Sequence, residues 1–221
     1  MRADVYLHAL GYTQSRKKAQ DLIDAGAVKI DGEIIKKASA PINETVEHEV
    51  KIEQVFPYVS RGGVKLEAAL DAFGVNVNRK KAVDVGASTG GFTDCLLKRG
   101  ARLVVAVDSG IGQLHESLRE DPRVKCVEHF NAREMDLSTT DGYCDIAVAD
   151  VSFISQTYII PAVSTCLQEG GEFISLVKPQ FEAGKENVGK KGVVRDPKIH
   201  KMVLDNFVTL VHSLGFKILG L

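Results

Sequence analysis

A chain of 221 residues has room for one large domain, or for a small one joined to a medium one. Its 44% hydrophobic and 26% charged residues are ordinary for a globular protein, and a net charge of −1 excludes a molecule that grips nucleic acid by overall charge. Cysteines 95, 126, 144 and 166 fall singly in apolar patterns with no C-x-x-C, which reads as four reduced core residues, and no apolar run nears membrane-spanning length.

The N-terminal MRADVYLHALG lacks the apolar core of a signal peptide, so a cytoplasmic protein is expected. Val5, Leu7 and Leu10 begin a short helical pattern. Thr13 or Ser15 can cap the next helix, SRKKAQDLIDAG, whose apolar stripe is Ala19, Leu22 and Ile23 and whose stop is Gly26. VKIDGEII then offers two β-runs around Asp31-Gly32, a strong hairpin signal, and VEHEVKIEQV supplies a further strand. Residues 1–56 thus form a small α+β unit.

Residues 57–61, PYVSR, open with proline and read as a linker. The second domain, 62–221, begins with a helix, VKLEAALDAF, in which Leu66, Ala69, Leu70 and Phe73 share a face. Strands are expected at 82–85, 102–107, 124–128, 144–149, 172–177 and 216–220. Helices are expected at 91–99, 112–120, 157–168 and 197–213. Such alternation builds a mostly parallel sheet covered on both faces, with ligands beyond the carboxyl ends of its strands.

The sharpest local signal is AVDVGASTGGFTD, residues 82–94. A short apolar run ends at Val85 and gives way to Gly86, Gly90 and Gly91, and a helical pattern follows directly. Glycines let a strand turn sharply into a helix while a ligand lies against the main chain. Asp108 closes the next strand 22 residues after Gly86, a distance at which a carboxylate reaches a bound ribose. The dinucleotide fingerprint G-x-G-x-x-G reads here as G-A-S-T-G-G, with Ser88 in place of the glycine that admits a pyrophosphate. That departure favours S-adenosyl-L-methionine over NAD.

Two later strand ends carry charge. Asp150 closes CDIAVAD and Lys178 closes FISLVK, and a rim salt bridge is the plainest account of such a pair. Lys65, on the helix leading into the sheet, adds a second ammonium. Ammonium groups brought together disfavour each other's charge, and an amine near neutrality can take a proton from a sugar hydroxyl. No His/Cys cluster suggests a metal. The six histidines have no ligand spacing, and Phe153, beside Asp150, suits either a core position or a stacking role.

The segment SRKKAQDLIDAGAVKIDGEI resembles the S4 RNA-binding domain. That resemblance implies an RNA face bearing Arg2, Arg16, Lys17, Lys18, Lys36 and Lys37. Composition alone would read a solvated charged surface, since residues 1–60 carry eight basic and nine acidic side chains. The stretches YVSRGGVKLEAAL, VDVGASTGGFTDCLL, AVDSGIGQLHESLR, ADVSFIS and LVKPQFEAGKENVGKKGVVRD are similar to the TlyA family of ribosomal RNA 2′-O-methyltransferases. These proteins, long labelled haemolysins, join an S4 domain to an FtsJ-like, Rossmann-like class I methyltransferase domain. The resemblance implies S-adenosylmethionine bound by Asp84, Gly86, Ser88, Thr89, Gly90, Gly91, Phe92, Asp108 and Asn131, with ribosomal RNA or ribosomal subunits as partner. Lys65, Asp150 and Lys178 match three members of that family's Lys-Asp-Lys-Glu tetrad, Lys178 being the candidate base. The fourth member lies on a late strand near the family's C-terminus, so a missing C-terminal strand is expected here, Glu182 being the nearest but poor substitute.

The segment 179–197 is glycine-rich and basic, within a stretch (178–201) holding seven Lys/Arg against three Asp/Glu. It reads equally as a surface excursion or as a mobile clamp on RNA phosphates through Lys185, Lys190, Lys191 and Arg195. Two other functions stay open: an RNA-binding S4 protein with an inactive methyltransferase fold, and a haemolysin-type membrane-active protein, for which no spanning segment or barrel-like strand series argues.

Overall fold

Residues 1–24, 26–52, 57–189 and 192–221 are described in the computed structural model, and they divide into two units, Met1–Pro57 and Tyr58–Leu221. In the first, α1 (Ala3–Ala9) and α2 (Arg16–Asp24) pack on a three-stranded antiparallel sheet of order β2-β1-β3. Its strands are β1 (Val28–Ile30), β2 (Glu33–Ile34) and β3 (Val50–Ile52). Ala3, Tyr6, Leu7, Ala19, Ile23, Val28, Ile30 and Ile42 form one core. Leu10 is not part of it: it follows α1 and is exposed, the buried face being Ala3, Tyr6 and Leu7.

The local signals act as their chemistry requires. Ser15, not Thr13, caps α2, its Oγ accepting the Lys18 N–H at 3.1 Å, while the Thr13 hydroxyl donates to the Ser15 carbonyl. Asp31 and Gly32 both take positive φ, 52° and 83°, the left-handed pair that matches the twist of a two-residue hairpin. The strand expected from VEHEVKIEQV is observed as Val50–Ile52, and residues 53–56 lie outside the described residues.

The second unit alternates strand and helix. Its elements are α3 (Gly62–Phe73), β4 (Lys81–Val85), α4 (Gly91–Lys98), β5 (Leu103–Val107), α5 (Glu116–Arg119), β6 (Val124–Val127), β7 (Cys144–Ala149), α6 (Ile160–Cys166), β8 (Leu167–Ser175), α7 (Pro179–Glu182) and α8 (Pro197–Ser213). The sheet order is β6-β5-β4-β7-β8, all parallel. Because side chains alternate along a strand, Ala82, Val104, Ile146 and Val148 face Leu66, Leu70 and Leu96 of α3 and α4. Val83, Val85, Val105, Val107, Ala147 and Ala149 face Ile159 and Val163 on the other side. Each fully buried leucine, such as Leu66 or Leu70, contributes about 1.5–3 kcal/mol through apolar burial. The chain reverses direction across the sheet between β4 and β7, and a ligand crevice opens at such a switch point.

Several expectations are corrected. Residues 216–220 form no strand. Phe216 packs on Phe173 with ring centroids 6.0 Å apart, while Leu219 and Leu221 stay exposed, so the segment is held by side chains and not by a ladder. The helix expected at 112–120 is confined to Glu116–Arg119, and that at 157–168 is a 3₁₀ turn (Gln156–Tyr158) followed by α6, with Pro161 in its first turn. On α3, Phe73 is exposed although Leu66 and Leu70 are buried. Within the expected linker 57–61, Tyr58 is buried with its hydroxyl donating to Glu67, and the Val59 N–H donates to Asp94 at 2.8 Å. The described part of 179–197 contains α7 and a 3₁₀ turn (Lys185–Asn187), with Ala183 and Val194 joining Val203 in a small core, which leaves both readings of the segment open.

Candidate active site

At the carboxyl end of β4 the chain bends through Gly86, φ 82°, and Gly90, φ 93°. A Cβ on Gly86 would lie 3.1–3.3 Å from Val151 and the Asp150 carbonyl, and one on Gly90 would collide with Leu118 at 2.3 Å. Glycine at these positions therefore serves the close approach of neighbouring elements as well as the turn. Ser88 joins the bend at φ 48°, exposed, and its N–H donates to Asp108 Oδ2 at 2.7 Å. The other Asp108 oxygen accepts the Gly110 N–H, also at 2.7 Å, so the acid after β5 ties the glycine turn to the loop beyond it.

Glu128, just past β6, completes that loop and was not singled out from the sequence. Its carboxylate accepts the N–H groups of Gly112, Gln113 and Leu114 at 2.8–3.1 Å and the Arg119 guanidinium at 2.9 Å. Burial pushes its carboxyl up, but these donors together outweigh burial and hold it at about 2. Residues 112–114 are spent on this carboxylate instead of on a helix, which is why α5 begins late. The signal that would have found Glu128 is the one that found Asp108 and Asp150: an acid at a strand's carboxyl end.

Asp84, inside β4, is fully buried. Oδ2 accepts the Thr93 hydroxyl at 2.7 Å, and Oδ1 has no hydrogen-bond partner among the described residues. Burial above all, with the nearby Asp150 and Asp108 charges adding to it against the Thr93 hydrogen bonds, pushes its carboxyl up to about 7. Phe92 is also buried, in the apolar core beneath α4. Asn131 is engaged locally, accepting from the Arg133 N–H and donating to Glu134.

The three charged candidates meet. Lys178 Nζ lies 2.5 Å from Asp150 Oδ1, and Lys65 Nζ lies 3.2 Å from Asp150 Oδ2. Lys178 also donates to the Ser152 hydroxyl at 2.8 Å and to the Asp150 carbonyl at 3.3 Å. This cluster stands beside the glycine bend, since the Asp150 N–H donates at 3.2 Å to the carbonyl of Val85, the residue before Gly86. Glu182 is elsewhere: it accepts from Ser155 Oγ at 2.5 Å and from the Gln156 N–H at 2.9 Å, pinning the loop after β7 to that after β8. Phe153 is 93% exposed with φ 65°, an unfavourable backbone for a bulky side chain, and its ring stands 5.3 Å from that of Phe181. A core role is excluded.

The basic candidates are exposed or half-buried. Arg2 and Arg16 both bond Asp4, Lys17 pairs with Asp21, and Lys18, Lys36, Lys37, Lys185 and Arg195 lie at the surface. Lys190 and Lys191 lie outside the described residues. All four cysteines are free, and three are buried. Among the described residues there is no His/Cys/Asp/Glu group that could hold a metal ion.

Residues 58–221 match the model of the FtsJ-like methyltransferase family. The chain belongs to that family. Residues 1–48 of this methyltransferase match the S4 domain. It is 42% identical over 219 residues to "16S/23S rRNA (cytidine-2'-O)-methyltransferase TlyA" of Mycobacterium tuberculosis, covering 99% of this chain and 82% of the relative. It is 44% identical over 218 residues to "Hemolysin A" of Brachyspira hyodysenteriae, covering 98% and 90%. A solved structure titled "Putative hemolysin from Streptococcus thermophilus" matches with TM-score 0.77 and 42% identity, over 100% of this chain and 80% of that one. Among the described residues, no helix of the methyltransferase is long and apolar enough to cross a membrane.

Proposed function

We propose that this methyltransferase transfers a methyl group from S-adenosylmethionine to a ribose 2′-hydroxyl of ribosomal RNA. The observation that carries the reading is the single carboxylate, Asp150, holding two ammonium groups at the switch point beside the glycine bend. The relative named a 16S/23S rRNA (cytidine-2'-O)-methyltransferase supports the substrate class. The S4 match supports an RNA partner, and a cytoplasmic place of work follows from that partner.

The residues present fit the cofactor. Asp84 and Asp108 cluster around the turn, and Asp84 keeps one oxygen unpaired. A cationic ligand, bearing an ammonium and a sulfonium, relieves that concentration of negative charge, whereas a diphosphate would add to it. Gly86, Ser88, Thr89, Gly90 and Gly91 would hold the methionine part, Asp108 the ribose, and Asn131 the adenine. When bound, S-adenosylmethionine supplies a methyl group already activated by its sulfonium.

The protein's own task is alignment and proton removal. Three acceptors surround Lys178 Nζ, and the exposed Ser152 hydroxyl is the one an incoming ribose hydroxyl replaces most readily. There the Lys178 side chain would take up the 2′-OH proton and hold the ribose oxygen toward the cofactor's methyl group. Asp150 and Lys65 fix the amine's position. Phe153 and Phe181 offer a stacking surface for a base next to the reacting ribose. Holding the two reactants in line supplies much of the rate. Lys178→Ala should lower kcat by about 10²–10⁴-fold, the usual worth of a positioned base, with cofactor affinity within about twofold of the parent by calorimetry. Full activity in that variant would remove Lys178 from the role.

A further inference from the structure

A buried carboxylate organises the arginines of the N-terminal unit. Asp4, in the first turn of α1, is wholly inaccessible to solvent, yet four donor groups converge on it. Arg2 Nε lies 2.9 Å from Oδ1 and Arg2 Nη2 3.3 Å from Oδ2. Arg16 Nη2, from the start of α2, lies 3.0 Å from Oδ2, and Gln20 Nε2, one turn further along α2, lies 2.7 Å from it. The Arg2 hydrogen bond leads in holding the Asp4 carboxyl well below the usual carboxylate range, burial opposes it, and Gln20 and Arg16 add to the lowering. Asp4 is therefore a fixed negative charge at any ordinary pH.

Tying α1 to α2 does not by itself call for this arrangement. Well-packed apolar side chains often replace a buried ion pair at no loss of stability. Here the two guanidiniums also cover little, their side chains remaining 51% and 53% exposed. Each offers one edge to Asp4 and keeps further N–H donors directed elsewhere, since a guanidinium carries five. An arginine free in solution loses rotamer freedom when it docks on a phosphate, and one already held by a carboxylate loses less.

We propose that Asp4 is a positioning residue that locks Arg2 and Arg16 into a rigid pair of guanidiniums for neighbouring RNA phosphates. The proposal rests on the RNA-binding reading of this unit. It makes a prediction opposite in sign to simple electrostatics. Asp4→Asn makes the protein more positive by one charge, which would tighten binding to a polyanion. Loss of the fixed geometry weakens it.

Filter binding of the full chain to purified ribosomal subunits, across a salt series, decides between them. Asp4→Asn is expected to bind about tenfold more weakly, the ordering cost of two long side chains, with the salt slope reduced by about 1 to 2. Glu33→Gln, which removes an acidic charge from the exposed hairpin, should bind at least as tightly as the parent. Arg16→Lys, which keeps the charge but not the fork, should lose most of what Arg16→Ala loses. A folded Asp4→Asn protein that binds as tightly as the parent, or more tightly, overturns the proposal. Parental binding by Arg16→Lys also overturns it, and this variant decides the matter if Asp4→Asn does not fold. Parental binding by both Arg2→Ala and Arg16→Ala instead sinks the RNA-binding reading of this face.

Discussion

Asp84 shows how a residue in the site can work against the fold that holds it. Its carboxyl titrates near 3.8 in the unfolded chain and near 7 in the folded one. The folded state therefore binds the extra proton, so stability is full below the unfolded value, falls as pH rises between the two, and is lowest above about 7. Asp84→Asn, of the same shape without the charge, should raise the melting temperature at pH 8 by on the order of 4 °C and by little at pH 4, read by calorimetry. The same variant should weaken S-adenosylmethionine binding at pH 8, because the unpaired oxygen would no longer carry charge toward a cationic ligand. A variant no more stable than its parent at pH 8 would show that the carboxylate is not strained by burial. Sequence reasoning could find Asp84, Asp108, Asp150 and Lys178 because each sits in or at the end of an apolar run. The direction in which Phe92 faces was not legible, because an aromatic beginning a helix after a ligand turn looks the same whether it faces the crevice or the core.

Elements follow from their residues where periodicity and punctuation agree. α8 occupies the expected 197–213, because Asp196 caps it through the Lys198 N–H and Pro197 starts it. β8 departs from the expected 172–177: it runs from Leu167 to Ser175, and its register against β7 shifts between the Leu167–Cys144 and Glu172–Ile146 pairs. Where side chains from a distance decide the backbone, local reading fails, and the loop bound by Glu128 is the clear case. Glu128→Ala should release the 112–114 amides, seen as faster hydrogen exchange there, and weaken cofactor binding about tenfold through loss of the charge-assisted hydrogen bonds. Unchanged exchange would mean the loop holds itself.

The hairpin of the first unit has its own dependence on pH. His48 Nδ1 lies 2.6 Å from Asp31 Oδ2, and that hydrogen bond raises the histidine and lowers the aspartate. The histidine's contribution is complete below its ordinary 6.5 and lost as pH rises through its folded value. The aspartate's is complete above 3.8 and lost as pH falls through its folded value. His48→Gln should therefore lower the stability of this unit at pH 5.5 and scarcely at pH 8.5, by thermal unfolding followed with a hairpin-specific probe.

On the scale of the whole chain, the pairing of a small RNA-binding unit with a methyltransferase domain was legible because each has an ordered motif: helix, glycine stop and Asp-Gly hairpin in one, strand, glycine turn and acid in the other. Asp4 was not legible as a buried carboxylate, since nothing in ADVY distinguishes it from a solvated helix-start acid. The central claim is that Lys65, Asp150 and Lys178 direct a methyl group from S-adenosylmethionine to a ribose oxygen. Its most direct test supplies tritium-labelled cofactor and purified ribosomal subunits, then digests the RNA to nucleosides. The account predicts label in a 2′-O-methylated nucleoside with the parent protein, appearing at least about 10²-fold more slowly with Lys178→Ala. Label on a base, or undiminished ribose labelling by Lys178→Ala, would contradict it.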